Sequence, residues 1–210
     1  MVAALVVIVG GGAVVAALVL TGHRAIIPII GPKRAAFTFQ MGNVSTISLG
    51  GKHSDAVGNA AAEPVRTTLS DLYGGLFLDP KAWSSGPPSD VWDHFTGRAV
   101  DQAKSDGAAL GLGDLTGTIH SLKVASSNLE VHALSDRARA AIAVMAKVEF
   151  VANATTKDGR HLQITQEAQY LLENVDGTWL VSGYPQSQTT VATIVPSAGP
   201  SGSSGSGGGA

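Results

Sequence analysis

The chain contains no cysteine. Disulfides, thiolate nucleophiles and cysteine-ligated zinc are excluded by that absence, while an oxidising or a reducing compartment both stay open. It has no dominant charge: Lys and Arg total 14 against 16 Asp and Glu, a formal net charge of -2. Without a basic stripe there is no electrostatic footprint for DNA or RNA, so nucleic acid is not expected as a partner. Metal-ligand patterns are missing too. The six histidines are scattered, with no i, i+4 pair and no H-E-x-x-H run, and no metal is expected. The Gly-rich stretch 107–113 has neither a P-loop lysine nor a preceding strand, so no phosphate-bearing cofactor is expected either.

What the sequence does have is apolar bulk, 44% of 210 residues, enough for the core of one ordinary domain with appendages. The first 20 residues, MVAALVVIVGGGAVVAALVL, carry no charge. At about 1.5 Å rise per residue, a helix of that length matches the roughly 30 Å hydrocarbon layer of a bilayer. Residues 1–21 therefore read as one transmembrane helix, with residues 1–20 anchoring the chain in the membrane. A cleaved signal peptide is the rival reading, disfavoured by the long apolar run, the lack of a basic stretch before it and the lack of an A-x-A site after it. His23, Arg24, Lys33 and Arg34 follow the span, and the positive-inside rule would hold that side in the cytoplasm.

Residues 22–62 are rich in small residues and contain Pro28 and Pro32, which predicts a linker; FTFQMGNVSTISL within it suits a hairpin about Gly42 and Asn43. Residues 187–210 are predicted to be a flexible low-complexity tail, because PSAGPSGSSGSGGGA within them has no charge and almost no apolar side chain. The domain lies between, over 63–186. Pro64 suits a first helical position, and Val65, Leu69, Leu72, Tyr73, Leu76 and Phe77 form one stripe of a helix ending near Asp79-Pro80. Ser89 is placed to cap a second helix, with Asp90 and Asp93 in its first turn, Trp92, Phe95 and Ala99 on one side, and Gly107 as its stop.

Beyond residue 115 the period changes to two, predicting a meander of strands over 117–134, 137–154, 160–175 and 178–186. Asp176-Gly177 is a two-residue type I′ turn signal that sets Val175 opposite Thr178, Leu172 opposite Val181 and Tyr170 opposite Gly183. At TKDGR a two-residue loop would set Phe150 against Glu167, apolar against polar. A three-residue loop, Lys157-Asp158-Gly159, instead sets Phe150 against Gln166 and Val148 against Ala168. Ile142, Val144, Ala146, Val148 and Phe150 then share one inner face. Leu122 and Val124 reach that face only if a bulge falls within 125–128.

This register brings polar groups inward. His120, Gln166 and Tyr170 converge from three strands, beneath Tyr73 and Trp92 from the helices, so that Tyr73, Trp92, His120, Phe150, Gln166 and Tyr170 form the candidate pocket lining. His120 as general base and Tyr170 as hydrogen-bond donor are the catalytic candidates. The plainer alternative makes them hydrogen-bonded core residues.

Two amphipathic helices followed by a long bent meander ending in DGTWLVSGY, with Gly177, Trp179, Val181 and Tyr184 closing it, resemble the NTF2-like superfamily of cone-shaped α+β domains. With the N-terminal span, the whole resembles single-pass NTF2-like proteins of actinobacteria, including those associated with Mce transport systems, and VirB8-type secretion scaffolds. LFLDPKAW and ALGLGDL are similar to stretches of uncharacterised actinobacterial proteins. The resemblance implies an extracytoplasmic domain, a protein partner in a cell-envelope complex, and pairing into a homodimer through the convex sheet, whose outward Lys147, Glu149, Glu167 and Gln169 make it polar. In the catalytic branch of the superfamily an Asp base or a His-Asp pair sits in the cone. Here no inward Asp is evident, which favours an accessory or assembly subunit over an isomerase, dehydratase or cyclase, or over a pocket for a small apolar ligand.

Overall fold

Alternation of apolar and polar residues after Ile119 sets the architecture, because a strand that buries one face needs period two and a partner surface. The structure, a computed structural model, describes residues 7–10, 13–16, 36–49, 54–136, 140–185 and 190–195. The chain divides into two units, Met1–Lys33 and Arg34–Ala210.

In the first unit, β1 (Val7–Gly10) and β2 (Ala13–Ala16) pair antiparallel. These two pieces of the expected 1–21 span are extended, not helical, and the rest of that span lies outside the described residues. No helix among the described residues is long and apolar enough to cross a membrane.

The second unit is a mixed α+β fold. Its sheet contains β3 (Gln40–Ser48), β4 (Ile119–Ser135), β5 (Ala141–Thr156), β6 (His161–Val175), β7 (Thr178–Gly183) and β8 (Thr190–Ile194). The order is β3-β4-β5-β6-β7, with β8 also on β6. β3 runs parallel to β4 and every other pairing is antiparallel. β7 takes the C-terminal half of β6 and β8 the N-terminal half, so the two together line one edge of the longer strand.

The two turn readings hold. Asp176 and Gly177 both adopt positive φ (51° and 88°), as a type I′ turn requires, and Val175 faces Thr178. Gly159 takes φ 84°, and Thr156 donates its N–H to the Arg160 carbonyl at 2.9 Å across the three-residue loop. Phe150 accordingly pairs with Gln166 and Val148 with Ala168. The even-numbered residues from Val144 to Thr156 and from Leu162 to Leu172 are all buried.

Several expectations are corrected. β7 bulges between Val181 and Gly183, so Gly183 faces Leu171 and not Tyr170. Ile142 lies at an irregularity between the Leu134–Ala143 and Ser135–Ala141 pairs and is 44% exposed. In β4 the bulge expected within 125–128 is present at Ala125, but a second one lies at His120. Each extra residue flips parity. Ile119 and Leu122 therefore both point inward and His120 is turned out to solvent.

The first helix, α1 (Asp55–Tyr73), begins nine residues before Pro64, which falls inside it. A proline in a helix interior costs about 3 kcal/mol. Here Pro64 and Ala60 are both exposed, so the carbonyl that loses its partner can be hydrated. Val57, Val65, Leu69 and Leu72 are buried on the opposite side, at about 1.5–3 kcal/mol each, which outweighs the defect. The supposed linker thus contributes eight residues of helix and a whole strand. Gly42 and Asn43 form a bulge in β3, not a hairpin turn.

After Tyr73 the helix widens into a π segment, Gly74–Leu78, and stops where Asp79 turns extended. Asp79 then caps α2 (Pro80–Ser85) by accepting the Lys81 N–H. The second long helix is absent. Its place is taken by a 3₁₀ turn, Ser89–His94, capped at Pro88, then α3 (Val100–Ser105) and α4 (Gly107–Leu110). The break falls at Phe95 and Thr96, where Phe95 bridges to Val181 and the Thr96 N–H goes to the Val181 carbonyl at 2.9 Å. The sheet takes the backbone groups a continuous helix would have needed. Past β7 the expected tail supplies β8; its remainder lies outside the described residues.

Candidate functional site

Of the six residues expected to line an interior pocket, four meet. Tyr73 comes from α1, Phe150 from β5, and Gln166 and Tyr170 from β6, and all are fully buried. The space between them is filled by rings. Tyr73 and Phe77 stack at 5.4 Å, Phe77 lies 4.9 Å from Phe150, and Phe39 meets Tyr73 edge-on at 4.9 Å. Phe39 and its neighbour Phe37 come from the stretch expected to be a linker. Both lie in FTFQMGNVSTISL, the segment read as a hairpin, just ahead of β3.

Polar groups in this core bond to one another and to the backbone. The Tyr73 and Tyr170 hydroxyls lie 3.3 Å apart, sharing one hydrogen bond. Gln166 donates from Nε2 to the Leu110 carbonyl at 3.1 Å, joining β6 to α4. Burial raises the Tyr170 phenol to about 12. Burial also raises Tyr73, aided by the charge and hydrogen bond of Tyr170. Both are therefore neutral near pH 7 and neither is a general base.

Trp92 and His120 do not join this group. Trp92 is half-buried, packs 6.1 Å from Phe95, and holds Gly107 so closely that a Cβ there would approach its Cη2 to 3.1 Å. His120 is exposed on the far side of the sheet, where the second bulge places it. The base and the donor proposed for catalysis are thus on opposite faces of one sheet.

Three other features escape the sequence pattern. On the outer face Ser45 of β3 stands opposite His132 of β4, and its Oγ hydrogen-bonds Nδ1 across 2.7 Å. Glu130 is 3.8 Å from Nε2. That contact pairs a hydroxyl with a base, but the carboxylate is beyond hydrogen-bond reach and does not orient the ring. Near the helices, Tyr184 donates to Asp106 Oδ2 at 3.0 Å while Gln102 holds the same oxygen at 2.6 Å. Burial, then Asp106, push the Tyr184 phenol upward. Finally, an open groove of about 500 Å³ runs between the start of α1 and the sheet, lined by Ala56, Ala60, Ala140, Ala141, Asn174 and Trp179.

The outer face is only partly polar. Lys147 pairs with Glu149 at 3.0 Å near Glu130 and Glu167, but at the other end of the same face Ile47, Met145, Leu171 and Val175 are 42–51% exposed. Among the described residues no three His, Asp or Glu side chains gather as a metal site.

No family model, no curated protein and no solved structure matches this chain.

Proposed function

We propose that this chain is a membrane-tethered, non-enzymatic NTF2-like domain that works through its surface, as an accessory or assembly subunit of an actinobacterial cell-envelope transport or secretion complex. The observation that carries the reading is the interior. A cone that turned over or stored a small molecule would keep room beside its polar groups. Here Tyr73, Phe77, Phe39 and Phe150 fill that room, and the phenols of Tyr73 and Tyr170 bond to each other. His120, the one base assigned to an isomerase or dehydratase, is outside. The tether is the uncharged stretch at residues 1–20, with the domain held on the extracytoplasmic side.

The test is photo-crosslinking in intact membranes of cells carrying the full chain. A photoreactive residue at Met145 or Leu171, on the outer face, is expected to trap a discrete protein adduct that alkaline washing leaves in the membrane fraction. One at Tyr170 is expected to label only the chain itself. A small apolar compound trapped at Tyr170, with no adduct from the surface positions, would overturn the reading in favour of a ligand pocket.

A further inference from the structure

Among the described residues, β8 is paired along one of its two edges. It pairs with β6 from Gln166–Thr190 to Leu162–Ile194, and Val195 gives its N–H to the His161 carbonyl at 2.9 Å. Backbone groups along an antiparallel strand point alternately to either side. Val191, Thr193 and Val195 therefore direct theirs to β6, while Ala192 and Ile194 direct theirs away from it. Among the described residues no strand takes that outer edge.

An unprotected edge invites another strand, and proteins usually deter this with charge, proline or a bulge. β3, at the opposite end of the sheet, carries the bulge at Gly42-Asn43. β8 carries none of these devices. TVATIV contains no charge and no proline, Val191 is 55% and Ile194 62% exposed, and no charged residue occurs from Pro185 to Ala210.

We propose that the free edge of β8 pairs antiparallel with β8 of a second copy, about a two-fold axis passing beside Thr193 and normal to the sheet. A continuous sheet must keep inner residues beside inner ones. By the pairing with β6, Ala192 and Ile194 have the inner parity of Leu162 and Ile164, and Val191, Thr193 and Val195 the outer. Centring on Thr193 sets Val191 against Val195, Ala192 against Ile194 and Thr193 against itself. Ala192 and Ile194 then exchange both of the hydrogen bonds left open on the outer edge, and β-branched and Thr pairs meet, the kinds that stabilise neighbouring strands. Centring on Ala192 instead sets Val191 against Thr193 and Thr190 against Ile194, apolar against polar. The uncharged strand repels its own copy nowhere, and the isologous pairing closes as a dimer, leaving no open end to grow a fibre. This dimer uses a sheet edge and does not depend on the function proposed above.

The native chain has no cysteine, so a single introduced thiol reports cleanly. Thr193 falls at a non-hydrogen-bonded pair, where Cα atoms are about 4.5 Å apart and within disulfide range. Mild oxidation of the full chain carrying Thr193→Cys, in detergent, is expected to give a linked dimer at least tenfold faster than Lys157→Cys, a loop-tip control. Val191→Cys mixed with Val195→Cys should also cross-link. Ala192→Pro removes an N–H that faces away from β6, and should convert the sedimenting dimer to monomer with the unfolding midpoint nearly unchanged. Thr193→Lys, which leaves the backbone intact, should do the same. Thr193→Cys cross-linking no faster than Lys157→Cys, or an unmodified chain that sediments as a monomer at every concentration, would overturn the proposal.

Discussion

Tyr73 and Tyr170 bring their hydroxyls to 3.3 Å from opposite layers, one on α1 and one on β6, at a point where neither is exposed to water. Each satisfies the other, so the pair ties helix to sheet through a single bond in an otherwise apolar cluster. Tyr170→Phe removes one hydroxyl and strands the other, and should cost about 1–3 kcal/mol. Replacing both with Phe removes the orphan, so the double variant should lose less than the sum of the two single ones. Urea denaturation of the four proteins in a double-mutant cycle measures this. Additive losses would mean the hydroxyls do not interact.

The same burial makes the fold sensitive to alkali. Tyr170 is raised to about 12 in the folded chain, and Tyr73 and Tyr184 are raised too, above the ordinary value near 10. A group whose folded value is raised contributes its full stability below the unfolded value and loses it as pH climbs through the folded one. Stability should thus be flat with respect to these groups up to about pH 10 and should fall above it, the Tyr170 share being lost over roughly pH 10 to 12. Tyrosinate absorbance should rise together with loss of near-ultraviolet circular dichroism. Tyrosinate appearing while the fold stays intact would contradict the placement of these phenols.

Much of the sheet was legible because two short turns and one parity rule determine it. Asp176-Gly177 and Lys157-Asp158-Gly159 demand positive φ at their glycines, and a register slipped by one residue would have buried Glu167 in place of Gln166. The bulge near Ala125 was legible for the same reason. The bulge at His120 was not, although Ile119 and Leu122, three apart and both inward, carry its signature; the expectation about a catalytic histidine failed there. The start of α1 is less legible, because Pro64 carries a helix-start signal nine residues inside the helix while the buried Val57 and Ala61 lie ahead of it. The second helix was broken by a tertiary bond, Thr96 to Val181, which no local pattern encodes. β8 looked like tail because low complexity begins soon after it.

Because His120 sits in a bulge on the exposed side of β4, its ring supports neither the core nor a pocket. His120→Ala should change the unfolding free energy by less than about 0.5 kcal/mol, as surface substitutions do. Gln166→Leu, which removes the Nε2 bond to the Leu110 carbonyl, should cost more, about 1–3 kcal/mol, by leaving that carbonyl buried and unsatisfied. Chemical denaturation of both variants compares them directly. A larger loss for His120→Ala would return the histidine to the interior.

Gly58 offers a test in which helix propensity and packing oppose each other. In the interior of α1, Gly58→Ala should gain close to 1 kcal/mol from backbone entropy alone. A Cβ there, however, would stand 2.8 Å from the Ser45 carbonyl oxygen and 2.9 Å from Thr46 Oγ1. The carbonyl belongs to the backbone of β3 and cannot swing aside. Thr46 Oγ1 accepts the Gly58 N–H at 3.0 Å near the start of the helix, where Ser54 at the N-cap makes no side-chain bond of its own. Strand and helix must therefore separate to admit the methyl, weakening that bond as well as the contact. The clash should win, with a net loss of about 1–3 kcal/mol, the range for overpacked sites. Thr46→Val, which keeps the volume and removes only the acceptor, should cost about 1 kcal/mol, as lost caps do. Thermal unfolding of both variants checks this, and a more stable Gly58→Ala would show that β3 does not press against α1 at this point.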